Sequence, residues 1–286
     1  MDCGDPACPT FLPTITLASM TTTNNGRILV VASLFAFGAF LLPVACTTRS
    51  RNPPAGKPKL PAAEYRVSES PDSIDPRNYD HVLTKVEAER VALSRSYHQA
   101  TSEVERARIV AQARDVLTRS IYTEIFPAWY GTGWDFNGTT EVPRQGKIAC
   151  GYFVSTVLRD VGWKVQRARL AQQTSENIIL SLTAEPYIKR FRRTPIGDFV
   201  KTVKEWGPGI YVVGLDIHTG FVVNNGDEVY FVHSSYIDPF MVVKETAQDS
   251  KILQTSAYRV LGKITADDKL IESWLLKKEI VTRGTS

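Results

Sequence analysis

The sequence predicts an α+β fold, on three observations. Helical periodicity is concentrated before residue 163, short β-rich runs follow between 210 and 264, and the composition is that of an ordinary globular protein. The 286 residues are 43% hydrophobic and 22% charged. That supports a sizeable core and excludes disordered, collagen-like and coiled-coil classes. The formal net charge of +4 is too small to argue for a nucleic-acid partner, and none is expected. Four cysteines exclude a disulfide-dense scaffold, and their spacing offers no zinc framework. No metal or cofactor is expected.

The chain opens on a leader. Ile28 to Cys46 carries no charge and follows a polar stretch ending in Arg27, the parts of a secretory signal. Ala45-Cys46 resembles a bacterial lipobox, in which Cys46 would be lipidated and become the mature N-terminus. Met20 would open a signal of ordinary length. Residues 1–46 therefore read as leader and lipoprotein-type signal, with an uncleaved anchor or an ordinary cleaved signal as alternatives. Each reading exports residues 47–286, and the lipobox reading predicts a membrane-anchored lipoprotein of the cell envelope that faces the periplasm or cell exterior. Residues 47–76 are Pro-rich and polar at their start and read as a tether.

The exported domain spans 77–286, divided into a helical lead-in (77–127) and a core (128–286). In the lead-in, Val82, Val86, Leu93 and Tyr97 fall near one helical face. After a break, Val104, Ala107, Val110, Ala113, Leu117, Ile121 and Ile125 repeat at three- and four-residue steps. Ser102 with Glu105 is a candidate capping box for the second helix, and Pro127 is expected to end the run. His81 and His98 lie on the polar helical segment and read as solvated. Residues 129–147 are rich in Gly, Thr and aromatics without a period, which predicts a loop or pocket wall. Cys150 to Trp163 places Val154, Val157, Leu158 and Val161 on one stripe, a helix that Gly162 stops. The runs 210–216, 218–223, 229–233 and 258–264 read as strands. Residues 265–279 close the chain as an amphipathic helix carrying Leu270, Ile271, Trp274 and Leu275.

Once the leader is set aside, Cys150 is the one thiol that is not a lipid acceptor. It starts a helix, where orphan backbone N–H groups and the helix dipole favour a thiolate. The histidines add to this. Asn225-Gly226 suits a two-residue type I′ hairpin loop. With those residues as the loop, Asn224 pairs with Asp227, and His218 falls directly opposite His233 on the same face. A cysteine nucleophile needs a base, and the base needs an orienting partner; one of each is present. A metal site is the competing account of paired histidines, but no carboxylate or thiol lies at ligand spacing beside them.

These residues resemble the NlpC-type papain-like cysteine peptidases and amidases, exported cell-wall hydrolases that use a Cys–His–polar order. The resemblance covers about residues 125–240. It rests on Cys150 in ACGYFVSTVLRDVGW, His218 in HTGFVV, His233 in YFVHSS, and GTGWDFNG (Gly131–Gly138), where Trp134 stands at the family's site tyrosine. The chain departs from the family at the nucleophile, where A-C-G-Y replaces D-C-S-G, and in residues 170–203, which read as an insertion.

The resemblance implies a papain-like core, with the nucleophile helix packed on an antiparallel sheet. It implies an exported, membrane-tethered cysteine hydrolase cleaving an amide bond of cell-wall (peptidoglycan) peptides. Cys150 attacks, His218 carries the proton and His233 orients His218. The backbone of Cys150 and a group near Trp134 hold the oxyanion, and Trp134, Gly151 and Tyr152, with Trp129 and Tyr130 nearby, border the substrate cleft. Two alternatives stand beside it: a transglutaminase-like acyl transferase using Asp238 as third residue, and a non-catalytic envelope-binding lipoprotein.

Overall fold

The computed structural model describes residues 76–284. The signal, Cys46 and the tether up to residue 75 lie outside the described residues, and among those described no helix is long and apolar enough to cross a membrane.

Two helices open the domain, α1 (Pro76–Gln99) and α2 (Glu103–Ser120). The capping box forms with one variation. Ser102 Oγ accepts the Glu105 N–H at 3.2 Å, while the Glu105 carboxylate reaches back to the Thr101 N–H at 3.1 Å. Pro127 does not end the helical path. A wide turn follows α2, in which the Phe126 N–H bonds the Ile121 carbonyl. A short helix α3 (Phe126–Trp129) then restarts with Pro127 in its first turn, where the missing N–H costs nothing.

Strand β1 (Gly133–Trp134) pairs in parallel with β2 (Lys147–Ile148), which runs directly into α4 (Cys150–Asp160). Beyond β3 (Lys164–Val165), residues 170–203 are no outside insertion. They contribute to α5 (Arg167–Ala171), α6 (Ser175–Leu182), β4 (Ile188–Arg192) and α7 (Ile196–Trp206). The remaining elements are β5 (Gly209–Leu215), β6 (Thr219–Asn224), β7 (Val229–Ser234), β8 (Val242–Thr246), α8 (Lys251–Thr255), β9 (Tyr258–Lys263), α9 (Asp268–Leu275) and β10 (Glu279–Ile280), the last paired in parallel with β3. Strands β4-β9-β5-β6-β7-β8 form one antiparallel sheet. The mixed α+β class therefore stands. The closing helix is shorter than the predicted 265–279, but Leu270, Ile271, Trp274 and Leu275 are all buried.

Both faces of the sheet are covered. Ile210, Val212, Phe221, Val223, Val232 and Val260 pack into a core with the apolar stripe of α4. Their neighbours Tyr211, Val213, Val222, Phe231 and Leu261 pack on Phe199 and Val203 of α7 and Ile252 and Leu253 of α8. This is why every residue of β5 is buried and why its sequence lacks the polar alternation of a half-exposed strand. On the first face α1 is fastened by polar contacts. Tyr79 Oη donates to Asp160 Oδ2 at 2.6 Å, Trp129 Nε1 donates to Tyr79 Oη at 2.8 Å, and Arg90 donates to the Leu275 carbonyl at 2.8 Å.

Candidate functional site

Cys150 is the first residue of α4, and the residue before it, Ala149, has no side chain to cap the helix. The N–H groups of Cys150 and Gly151 therefore remain free to face the sulfur, and the Thr219 N–H approaches it from β6. Two bonds hold this helix start in place: the Ala149 N–H on the Gly138 carbonyl at 2.8 Å, and Ser234 Oγ on the Ile148 carbonyl at 2.7 Å. Ser234 follows His233, so one stretch of β7 positions both a ring and the start of the helix that carries Cys150. Sequence reasoning did not single out Ser234.

His218 stands at the end of a tight turn. The Leu215 N–H bonds the His218 carbonyl at 2.8 Å across Asp216-Ile217. The carboxylate of Asp216 ties this turn down through Ser256 Oγ and the N–H groups of Ala257 and Tyr258. Cys150, Gly151, His218 and Thr219 line one cavity of about 270 Å³, whose other wall comes from Ala171, Gln173, Thr174, Ser175 and Ile178. The segment 170–203, unplaced in the sequence, thus supplies a wall of the cavity that Cys150 lines. A second cavity of about 150 Å³ shares Leu215, Asp216, Ile217 and His218 with the first and is bordered also by Tyr236, Thr255 and Ser256.

The β6–β7 hairpin departs from its predicted register by two residues. Asn224 pairs with Val229, not Asp227. The Asn225 side chain accepts the N–H groups of Asp227 and Glu228 at 3.0 and 2.8 Å, and among the four turn residues only Gly226 has a positive φ, +101°. The Asn225-Gly226 type I′ loop is therefore not formed, because the Asn225 side chain organises a turn centred one residue later. A shift of two preserves side-chain parity, so both rings stay on one face, diagonal rather than directly opposite. His218 Nε2 and His233 Nδ1 lie 3.0 Å apart with their planes at 88°. Gly220 makes room for this: a Cβ there would lie 2.8 Å from the His233 Cβ.

The far nitrogen of His233 meets a group the sequence analysis missed. Nε2 lies 3.1 Å from Glu245 Oε1 on β8, and the His233 ring stacks on Phe231 at 3.9 Å. Neither β8 nor its register was predicted, and Glu245, twelve residues beyond His233, carries no motif. Among the described residues, no group of three or more His, Cys, Asp or Glu is arranged to hold a metal ion.

Burial dominates the titration of these groups. It pushes the Cys150 thiol up, against the lowering influence of the Thr219, Gly151 and Cys150 N–H groups. The expected helix-start thiolate is therefore corrected to a resting thiol, since desolvating an anion outweighs three backbone N–H groups. Burial and the neighbouring His233 drive His218 well below the ordinary imidazole range. Burial also lowers His233, partly offset by Glu245. Burial raises Glu245, but hydrogen bonds from His233 and Ser250 outweigh it and hold the carboxyl below its usual range.

The predicted cleft residues divide. Gly151 lines the cavity, yet its role is packing: a Cβ there would lie 2.3 Å from the Ala171 carbonyl oxygen of α5. That contact accounts for glycine where the resembled family has serine. Tyr152 is not among the residues lining either cavity beside His218; its ring lies beneath the Arg167 guanidinium at 4.9 Å. Trp134 does not line them either. Its ring is 6.4 Å from Tyr236, which in turn is 5.1 Å from His218, so the sequence's oxyanion partner stands one ring too far away. Trp129 and Tyr130 are buried in the core. Asp238 is exposed, and the acid beside the histidine pair is Glu245 instead. His81 and His98 are exposed, as predicted.

No family model, curated protein or solved structure matches this chain.

Proposed function

We propose that the protein is an exported cysteine hydrolase that cleaves an amide bond, with cell-wall peptides as its substrate class. The observation that carries this reading is the 3.0 Å contact between His218 Nε2 and His233 Nδ1, beside a cavity that His218 shares with Cys150. Export and the cell-wall substrate rest on the leader and on the family resemblance.

Burial pushes the thiol up and both imidazoles down, so no thiolate–imidazolium pair precedes substrate. As the substrate carbonyl enters the 270 Å³ cavity, His218 takes the Sγ proton through Nδ1, the nitrogen that does not face His233. Sγ then bonds the carbonyl carbon. In this reading the N–H groups that face the sulfur hold the oxyanion. Collapse breaks the C–N bond, and His218 returns the proton to the leaving amine. Water, deprotonated by His218, hydrolyses the thioester and regenerates the thiol.

The test is incubation of the purified protein with muropeptides, with mass spectrometry reading new free amines. Wild type releases them, and Cys150→Ala and His218→Ala fall to background. Release that persists in Cys150→Ala, or no release by wild type, overturns the reading; the latter outcome favours a non-catalytic envelope lipoprotein.

A further inference from the structure

We propose that Glu245 is a positioning residue that sets the polarity of the two-histidine chain and so decides which nitrogen of His218 is basic. The inference rests on the reading of Cys150, His218 and His233 as a reaction centre. A carboxylate can only accept hydrogen bonds. Its 3.1 Å contact therefore requires a proton on His233 Nε2. A neutral imidazole carries one N–H, which leaves His233 Nδ1 bare. The 3.0 Å contact to His218 Nε2 then requires the proton on that nitrogen, and His218 Nδ1 is left bare. That is the form able to accept a thiol proton.

Without the carboxylate, the opposite arrangement satisfies the contact between the rings equally well. His233 Nδ1–H would donate to His218 Nε2, and His218 would present Nδ1–H, which is a donor and no base. Hydrogen-bond count between the rings does not separate the two polarities; an acceptor-only group at one end does. The architecture holds that end firmly. Glu245 pairs across the ladder with Phe231, and the Phe231 ring stacks on His233 at 3.9 Å, fixing the plane from which Nε2 projects. The ionisable groups acting on Glu245 are His233, which lowers it, and Asp249, which raises it. Lys244 points elsewhere, its Nζ 3.2 Å from Tyr122 Oη and over the Tyr230 ring.

The experiment is ¹⁵N NMR of imidazole-labelled full-length chain near neutral pH. The sequence has four histidines, and His81 and His98 are exposed, so the buried pair is resolved by comparison with single His→Gln variants of the exposed two. Wild type should show Nε2–H with bare Nδ1 on both His218 and His233. Glu245→Ala should mix or reverse that polarity, whereas Glu245→Gln, whose amide oxygen still accepts, should keep it. Iodoacetamide labelling of Cys150, followed at the peptide level, should slow about tenfold or more at pH 7 in Glu245→Ala and stay within about threefold in Glu245→Gln. A protonated Nδ1 on either ring of wild type overturns the proposal. So does a polarity unchanged in Glu245→Ala. Should Glu245→Ala fail to fold, the wild-type and Glu245→Gln spectra still decide. The spectra do not depend on turnover: assigned tautomers without muropeptide cleavage sink the hydrolase reading alone.

Discussion

Cys150 shows how burial and backbone compete at one atom. Three N–H groups face its sulfur, yet desolvation pushes the thiol up, and burial likewise depresses the imidazoles of His218 and His233. Two outcomes follow. Activity should depend on neutral His218, so kcat/KM should lose its acid limb only below the ordinary histidine value of about 6.5; an acid limb at or above that value contradicts a depressed His218. The second outcome concerns stability. The folded histidines bind protons less readily than the unfolded ones, so their contribution is present above about pH 6.5 and is lost as pH falls toward the folded values. Denaturation midpoints should therefore fall as pH drops below about 6.5. In His218→Gln that slope should flatten, since one of the two buried imidazoles no longer takes up a proton on unfolding.

Among the elements, glycines mark the places where backbones approach most closely. Gly151→Ala drives a methyl into the Ala171 carbonyl, and backbone on both sides leaves little room to yield. A loss of about 1–3 kcal/mol is expected, read as a lower denaturant midpoint at unchanged m. Gly220→Ala crowds His233 and Phe231 and should slow Cys150 alkylation as well as lower stability. Ser234→Ala removes the tie between β7 and the start of α4, at a cost of about 1 kcal/mol. The helices α1, α2 and α4 were legible in the sequence because one apolar stripe repeats along each. Strands β4 and β8 were not. Ile188–Arg192 reads IKRFR, too charged for a strand motif, and Val242–Thr246 carries only two apolar residues; both are edge strands of the sheet, and edge strands tolerate polar sequence.

Across the whole molecule, the helical lead-in is part of the same fold that holds Cys150, His218 and His233. Tyr79, Trp129 and Asp160 join α1, α3 and the C-terminal end of α4 in one buried network, and burial raises Asp160 above its usual range. Tyr79→Phe removes a donor from that buried carboxyl and leaves the Trp129 indole N–H without its acceptor. A loss of about 1–3 kcal/mol is expected, with alkylation of Cys150 little changed, because the network touches the far end of the helix. A large change in alkylation would mean that the lead-in also positions Cys150.

By itself, the sequence determined the α+β class, the helix that presents Cys150, and the pairing of His218 with His233 on one face. Those follow from local rules: helical periodicity, strand parity and the scarcity of histidine. Parity survived even though the turn slipped by two residues, since an even shift leaves each side chain on its face. The tertiary structure alone decided the protonation of the thiol, the identity of the acid at the end of the histidine chain, and the cavity wall built from residues 171–178. Each of these depends on which distant segments come together, and neither burial nor a contact between Glu245 and His233 is encoded in the spacing of either residue along the chain.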